Sequence, residues 1–248
     1  MAKGNIKEFI ETDTKVDRLE LLRGVTRGLV YMHDQRIIHG DLKGVNILID
    51  DDGHPRIAGF DLVTVASERA TMTPPPPVGG EIPWMSPELL FPEKFDLKRN
   101  NPTKKSDCYA LGMVVYEVLS GQAPFAAYRE VEIVRMVLGG ERPERPRGDE
   151  GRLFTDEIWK VLGFCWEQRP GDRLSAKGIL MGLDGNLSPS RPPSDIEDVE
   201  TDTDDQQDEP GPTIARGDDG LAARPGRIGT KGRRVSDVFR SVTKFFRR

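Results

Sequence analysis

At 248 residues, with 36% hydrophobic and 31% charged side chains, the chain has room for one mid-sized domain plus extensions, and its apolar residues are too unevenly spread for one compact unit. A net charge of -5 gives no support for general nucleic-acid binding, and Cys108 and Cys165 form neither a close pair nor a His/Cys metal arrangement, as expected of a reduced cytoplasmic protein. The most apolar stretch, residues 111–119, is far shorter than a membrane span and contains Glu117, and no hydrophobic leader follows Met1.

In chain order, Leu22, Val25, Leu29 and Met32 repeat at the spacing of one helix face, which predicts a helix over 17–33. Two β-type runs, 46–49 and 55–58, flank the acidic turn of Asp50, Asp51, Asp52 and Gly53 and predict a hairpin. Residues 59–88 carry Thr64, Ser67, Thr71, Thr73, the prolines 74–77 and the pair Gly79 and Gly80, a composition that resists regular structure and predicts a long functional loop. The run 111–119 is apolar on nearly every side, so a helix there must be buried at the centre of the domain. Further helices are predicted over 127–138, 155–166 and 174–183, with Thr155 and Asp156 as a capped start. The folded part, residues 1–184, is therefore mainly α with a small β-hairpin.

The run HGDLKGVN at 39–46 places Asp41, then Lys43, then Asn46 in a loop between the first of these helices and the hairpin. Phosphoryl transfer uses such a set: a carboxylate to accept the hydroxyl proton, a cation near the transferring phosphate and an amide oxygen for Mg²⁺. HxDLKxxN resembles the catalytic loop of protein kinases. IPWMSPELL at 82–90 resembles the substrate-side end of their activation segment, with Ser86 where the family's Ala usually stands, and the match continues through SDCYALG at 106–112 and Cys165-Trp166 to Arg173. Lys43 and the WMSPE run resemble most the tyrosine-kinase-like branch of the serine/threonine kinases.

The resemblance implies a protein-kinase-like fold represented by its C-terminal lobe, with ATP and Mg²⁺ as cofactors and a protein as substrate or partner. Asp41 would orient or deprotonate the substrate hydroxyl, Lys43 would neutralise phosphate charge and Asn46 would hold Mg²⁺. Glu88 and Arg173 would form a buried ion pair, Asp107 would cap the central helix and tie it to the catalytic loop, and His39 and Phe60 would pack in the core.

Three departures from the family pattern stand out. The N-terminal β-rich lobe needs roughly 60 residues before the helix at 17–33, and residues 1–10 already resemble the segment just beyond the interlobe hinge, so the phosphate-covering loop, the strand Lys and its Glu partner are lacking. The family's Asp-Phe-Gly is replaced by Gly59-Phe60-Asp61, and Asp61 is a poor substitute, because residues two apart on an extended chain lie about 6.6 Å apart whereas Mg²⁺ binds oxygen at about 2.1 Å. Gly40 stands in place of the Arg that reads an activation-loop phosphate, which leaves Thr64, Ser67, Thr71 and Thr73 as solvated hydroxyls. The expected function is that of a catalytically impaired kinase-domain protein; a pseudokinase scaffold with an obligate partner, or an incomplete sequence of a full kinase, are the alternatives.

Residues 185–230 read as a disordered acidic and Pro/Gly-rich linker, with nine carboxylates and no Lys or Arg over 195–209. Residues 231–248 read as a basic tail in which Val235, Val238, Phe239, Val242, Phe245 and Phe246 share one helical face, a pattern suited to an anionic membrane or a calmodulin-like groove. Arg233, Arg234, Val235 and Ser236 resemble a site for basophilic kinases.

Overall fold

The computed structural model describes residues 3–60, 64–65 and 82–186, with backbone alone at 64–65 and 149–150. Asp61, Ser67, Thr71, Thr73 and, apart from Gly185 and Asn186, the expected linker and tail lie outside the described residues. The first helix, α1 (Ile6–Thr12), was not anticipated; it starts from a capping box in which Asn5 accepts the amide of Glu8 while the Glu8 side chain returns to Asn5. Helix α2 (Arg18–Asp34) begins on Asp17, whose carboxylate accepts two first-turn amides, and it buries the anticipated Leu22, Val25, Leu29 and Met32.

A short strand β1 (Ile37–Ile38) leads into the loop at 39–46, which ends in a 3-10 turn, Gly44–Asn46. The hairpin is narrower than its sequence runs: β2 (Ile47–Ile49) pairs antiparallel with β3 (Pro55–Ile57), Ile47 opposite Ile57. A second antiparallel pair corrects the reading of 59–88 as irregular, because β4 (Thr64–Val65) lies along β1 with Val65 opposite Ile37. The end of that region is also ordered, as a 3-10 turn at Ile82–Trp84 and the short helix α3 (Pro87–Leu90).

Helix α4 (Lys104–Ser120) is the centre of the domain, and 13 of its 17 residues are buried. Its start lies seven residues before the apolar run, because Thr103 and Ser106 form a capping box there, and it stops at Gly121, whose φ of 77° suits the left-handed cap. Thr103, not Asp107, is therefore the cap. A helix with no polar face must be covered on all sides, and α1, α2 and α6 (Asp156–Cys165) do so. The α4–α6 approach depends on Gly112, where a Cβ would lie 2.7 Å from that of Cys165 and 2.8 Å from Trp166 Nε1. Helices α5 (Glu130–Leu138) and α7 (Ala176–Leu183) complete the set. The sequence pattern overran their starts, since Arg129 and Ser175 stand at the caps. No helix among the described residues is long and apolar enough to cross a membrane.

One glycine of α6 has no packing reason to be there. Gly163 is exposed, and a Cβ built on it meets nothing within 4 Å. Gly163→Ala is expected to stabilise the domain by about 0.5–1 kcal/mol through helix propensity alone, read as a higher melting temperature. A lower one would show that α6 is not held as described.

Candidate active site

The loop at 39–46 carries little regular structure, so its shape comes from the groups that receive its amides. The Asp107 carboxylate, buried in the first turn of α4, accepts the His39 amide at 2.8 Å, the Gly40 amide at 2.9 Å and His33 Nε2 at 3.0 Å. Gly40 takes φ of 80°, a conformation that costs any residue with a Cβ about 1 kcal/mol or more. Beyond it, the fully buried His39 donates from Nε2 to the Ala58 carbonyl at 2.8 Å and accepts the Asp41 amide on Nδ1 at 3.2 Å, partners that assign its tautomer. The His39 ring also meets Phe60, with centroids 5.8 Å apart.

This frame brings Asp41, Lys43 and Asn46 together. Asp41 Oδ2 lies 2.9 Å from Lys43 Nζ and accepts Asn46 Nδ2 at 2.7 Å; the same Nδ2 donates to the Asp41 carbonyl at 2.7 Å. The cluster is half-sheltered, with the Lys43 and Asp41 side chains 17% and 20% exposed, and it balances its own charge. A carboxylate held this way can orient a hydroxyl and take its proton.

Gly59 is where a metal-binding carboxylate would stand. It has φ of 76°, and a Cβ on it would lie 2.5 Å from Asn46 Cγ and 2.7 Å from Asn46 Oδ1. The Asn46 amide fills the space in which a side chain at 59 would begin. Mg²⁺ asks for octahedral oxygen ligands, normally one or two carboxylates with phosphates and water. Here the amide of Asn46 is bound back to Asp41 and no carboxylate grows from position 59, so the described residues do not fit a tightly held Mg²⁺.

On the substrate side, Glu88 of α3 and Arg173 form a two-pronged pair at 2.7 Å for each oxygen, with side chains 2% and 0% exposed. Arg173 spends further donors on the carbonyls of Glu167 and Lys105, and its guanidinium stacks 5.1 Å over the Tyr109 ring, with Arg142 at 5.5 Å from the same ring. Burial pushes the Tyr109 hydroxyl up to about 12. Ser86 is fully buried and its hydroxyl has no partner among the described residues.

One residue of this frame was missed. Glu117 appeared in the sequence only as a charge interrupting an apolar run, yet its buried Oε2 accepts both the Gly44 amide and Trp84 Nε1 at 3.0 Å, while Lys7 Nζ stands 3.6 Å from Oε1. Burial raises its pKa above the usual carboxylate value, against the lowering effect of the Gly44 amide and Lys7. The available signal was a lone acid inside an otherwise apolar helix, a costly placement without partners.

Comparison with known proteins agrees with this geometry. The protein kinase domain model matches residues 1–182. The chain is 32% identical over 196 residues to a putative serine/threonine-protein kinase/receptor, R818, of Acanthamoeba polyphaga mimivirus, covering 77% of this chain and 11% of that protein. It is 32% identical over 185 residues to the probable serine/threonine-protein kinase drkD of Dictyostelium discoideum, with 74% and 13% covered. With the serine/threonine-protein kinase STY17 of Arabidopsis thaliana it shares 28% over 185 residues, with 73% and 30% covered. The chain thus spans between 11% and 30% of the length of these relatives.

Two outcomes are expected. Glu88→Ala leaves a buried guanidinium without its anion and should cost about 3–5 kcal/mol in urea unfolding; a loss below 1 kcal/mol would mean that the pair is not buried as described. For Glu117, whose folded pKa is raised, the stability contribution is full below its ordinary value of 4.5 and is lost as pH rises through the raised value. The stability difference between Glu117→Gln and wild type should therefore move in the variant's favour as pH rises above 4.5; a difference that stays flat with pH contradicts it.

Proposed function

The chain belongs to the protein kinase family, and from that premise we propose that it is a catalytically impaired kinase-domain protein acting through binding. The observation that carries this reading is Gly59 with the Asn46 amide in the space of the missing side chain, and it is independent of how the chain begins. Losing a group that stabilises transferring charge by about 4 kcal/mol corresponds to roughly a thousandfold in rate. The pairing of Asp41 with Lys43 and Asn46 supports the reading that the loop keeps its shape without the metal, and we propose that the C-lobe serves a protein partner.

Gly40 supports the same reading, because it stands in place of the Arg that would receive an activation-loop phosphate. ATP and Mg²⁺ are the family's cofactors, and we propose that this chain gains little or nothing from the metal. The basic segment 231–248 is proposed as a contact for an anionic membrane. Its removal should abolish co-sedimentation with phosphatidylserine vesicles, and unchanged sedimentation would remove that contact from the reading.

The deciding experiment is phosphate transfer from labelled ATP to a mixed serine/threonine peptide set by the full chain, beside Asp41→Asn. Incorporation near background and insensitive to Asp41→Asn is expected; robust incorporation lost in Asp41→Asn would overturn the proposal. Gly59→Asp alone is expected not to confer activity and to lower stability by about 1 kcal/mol or more, since the new Cβ meets Asn46 in a left-handed conformation.

A further inference from the structure

Between α3 and α4 the chain makes an excursion whose two feet stand on one residue. At the near foot Glu88 is clamped by Arg173 at 2.7 Å. At the far foot the Arg173 guanidinium donates to the Lys105 carbonyl at 3.1 Å and Lys105 Nζ donates to the Arg173 carbonyl at 2.9 Å. The excursion is also closed on itself: the Leu97 amide donates to the Pro92 carbonyl at 3.1 Å, through Asp96 at φ of 58°, and this returns the backbone of Leu97 to Pro92, the residue after Phe91. Phe91 and Leu97 remain 44% and 39% exposed, and Lys94 Nζ lies 5.8 Å from the Phe91 ring centre. Lys98 and Arg99 follow directly and are exposed. Residues 91–105 carry five cations against two carboxylates in a chain whose net charge is -5.

Phe91 and Leu97 are large apolar side chains left exposed on one pinned turn, with Lys94 beside the Phe91 ring and Lys98 and Arg99 next in sequence, and neither belongs to the buried core. We propose that this turn is a docking surface for an acidic segment of a partner protein, which seats one apolar side chain against Phe91 and Leu97 and pairs its carboxylates with Lys94, Lys98 and Arg99. Charge complementarity defines the partner, and the pinned feet lower the ordering cost of binding. The exposed Glu93 and Asp96 on the same turn oppose a uniformly anionic membrane or a nucleic-acid backbone, whereas they fit the rim of a protein contact. The surface adjoins the end of the activation segment, and its use does not depend on catalysis.

The test is fluorescence anisotropy of the full chain with a tagged 15-residue peptide of Glu and Asp around a central Leu-Phe pair, the 15 residues being about the reach of one such surface. Saturable binding that weakens with added salt is expected, and the double variant Lys98→Glu/Arg99→Glu should weaken it about tenfold or more. Leu97→Ser, which leaves every charge in place, should weaken it severalfold, while Lys15→Glu, outside the turn, should not change it. No binding, an unaffected Leu97→Ser, or an equal loss in Lys15→Glu would each overturn the proposal. So would phosphatidylserine vesicles that sediment the chain in a Lys98- and Arg99-dependent way while the peptide does not bind. Thermal melts of each variant confirm that the fold is kept.

Discussion

The carboxylate of Asp107 is the point on which the rest of the site hangs. A loop of eight residues whose only regular structure is a closing 3-10 turn would leave most of its amides facing a dry interior, and each unpaired amide there costs on the order of 1–3 kcal/mol. Asp107 gathers the amides of His39 and Gly40 and the ring of His33 onto a single side chain. Because charge-assisted bonds are stronger than neutral ones, that side chain can hold Gly40 at φ of 80°. His39 then has its ring fixed by Ala58, and so the loop and the strand end before Gly59 take their positions from one residue of α4.

Glu117 does the same at the other end of the loop. It lies ten residues further along α4, about 15 Å on the helix axis, and receives Gly44 as Asp107 receives Gly40. The loop at 39–46 is thus strung between two buried carboxylates of one helix, with Asp41 and Lys43 between them. Glu117 adds Trp84 to the tether, and Arg173 adds Glu88, so the substrate-side segment is bound to the same scaffold twice. Buried ionic groups of this kind are poor sources of net stability, but once partnered they penalise every alternative arrangement that would leave a charge alone. That is why the frame around Asp41 persists although position 59 is a glycine.

What the sequence made legible follows from which interactions are local. The face of Leu22, Val25, Leu29 and Met32 obeys helical periodicity, and the DDDG turn announces its hairpin within a few residues. The trio of Asp41, Lys43 and Asn46 was legible through its spacing, and the structure brings all three onto one carboxylate oxygen. The β1–β4 pair was not, because two-residue strands have no periodicity and are made by a partner far along the chain. Glu117 was missed for a related reason: its function is decided by Gly44 and Trp84, 73 and 33 residues away, and nothing near it in sequence announces them. The start of α4 was misjudged because the apolar run was taken for the helix, whereas the capping box of Thr103 and Ser106 sets where it begins.

Gly59 shows how a substitution at one position becomes built into its surroundings. Removing a side chain usually leaves a gap, and a gap lined by polar groups is filled by water or by whatever neighbour can turn into it. Here the neighbour is Asn46, whose amide nitrogen gains two bonds to Asp41 in the orientation that occupies the place of the lost Cβ. Asp41, Lys43 and Asn46 thereby neutralise and satisfy one another. A divalent cation would have to pull the Asn46 oxygen out of this arrangement and compete with Lys43 for Asp41, with no carboxylate from position 59 to offset the cost of its own dehydration. Lys43 already neutralises Asp41 in this arrangement, and position 59 admits no Cβ without displacing the Asn46 amide.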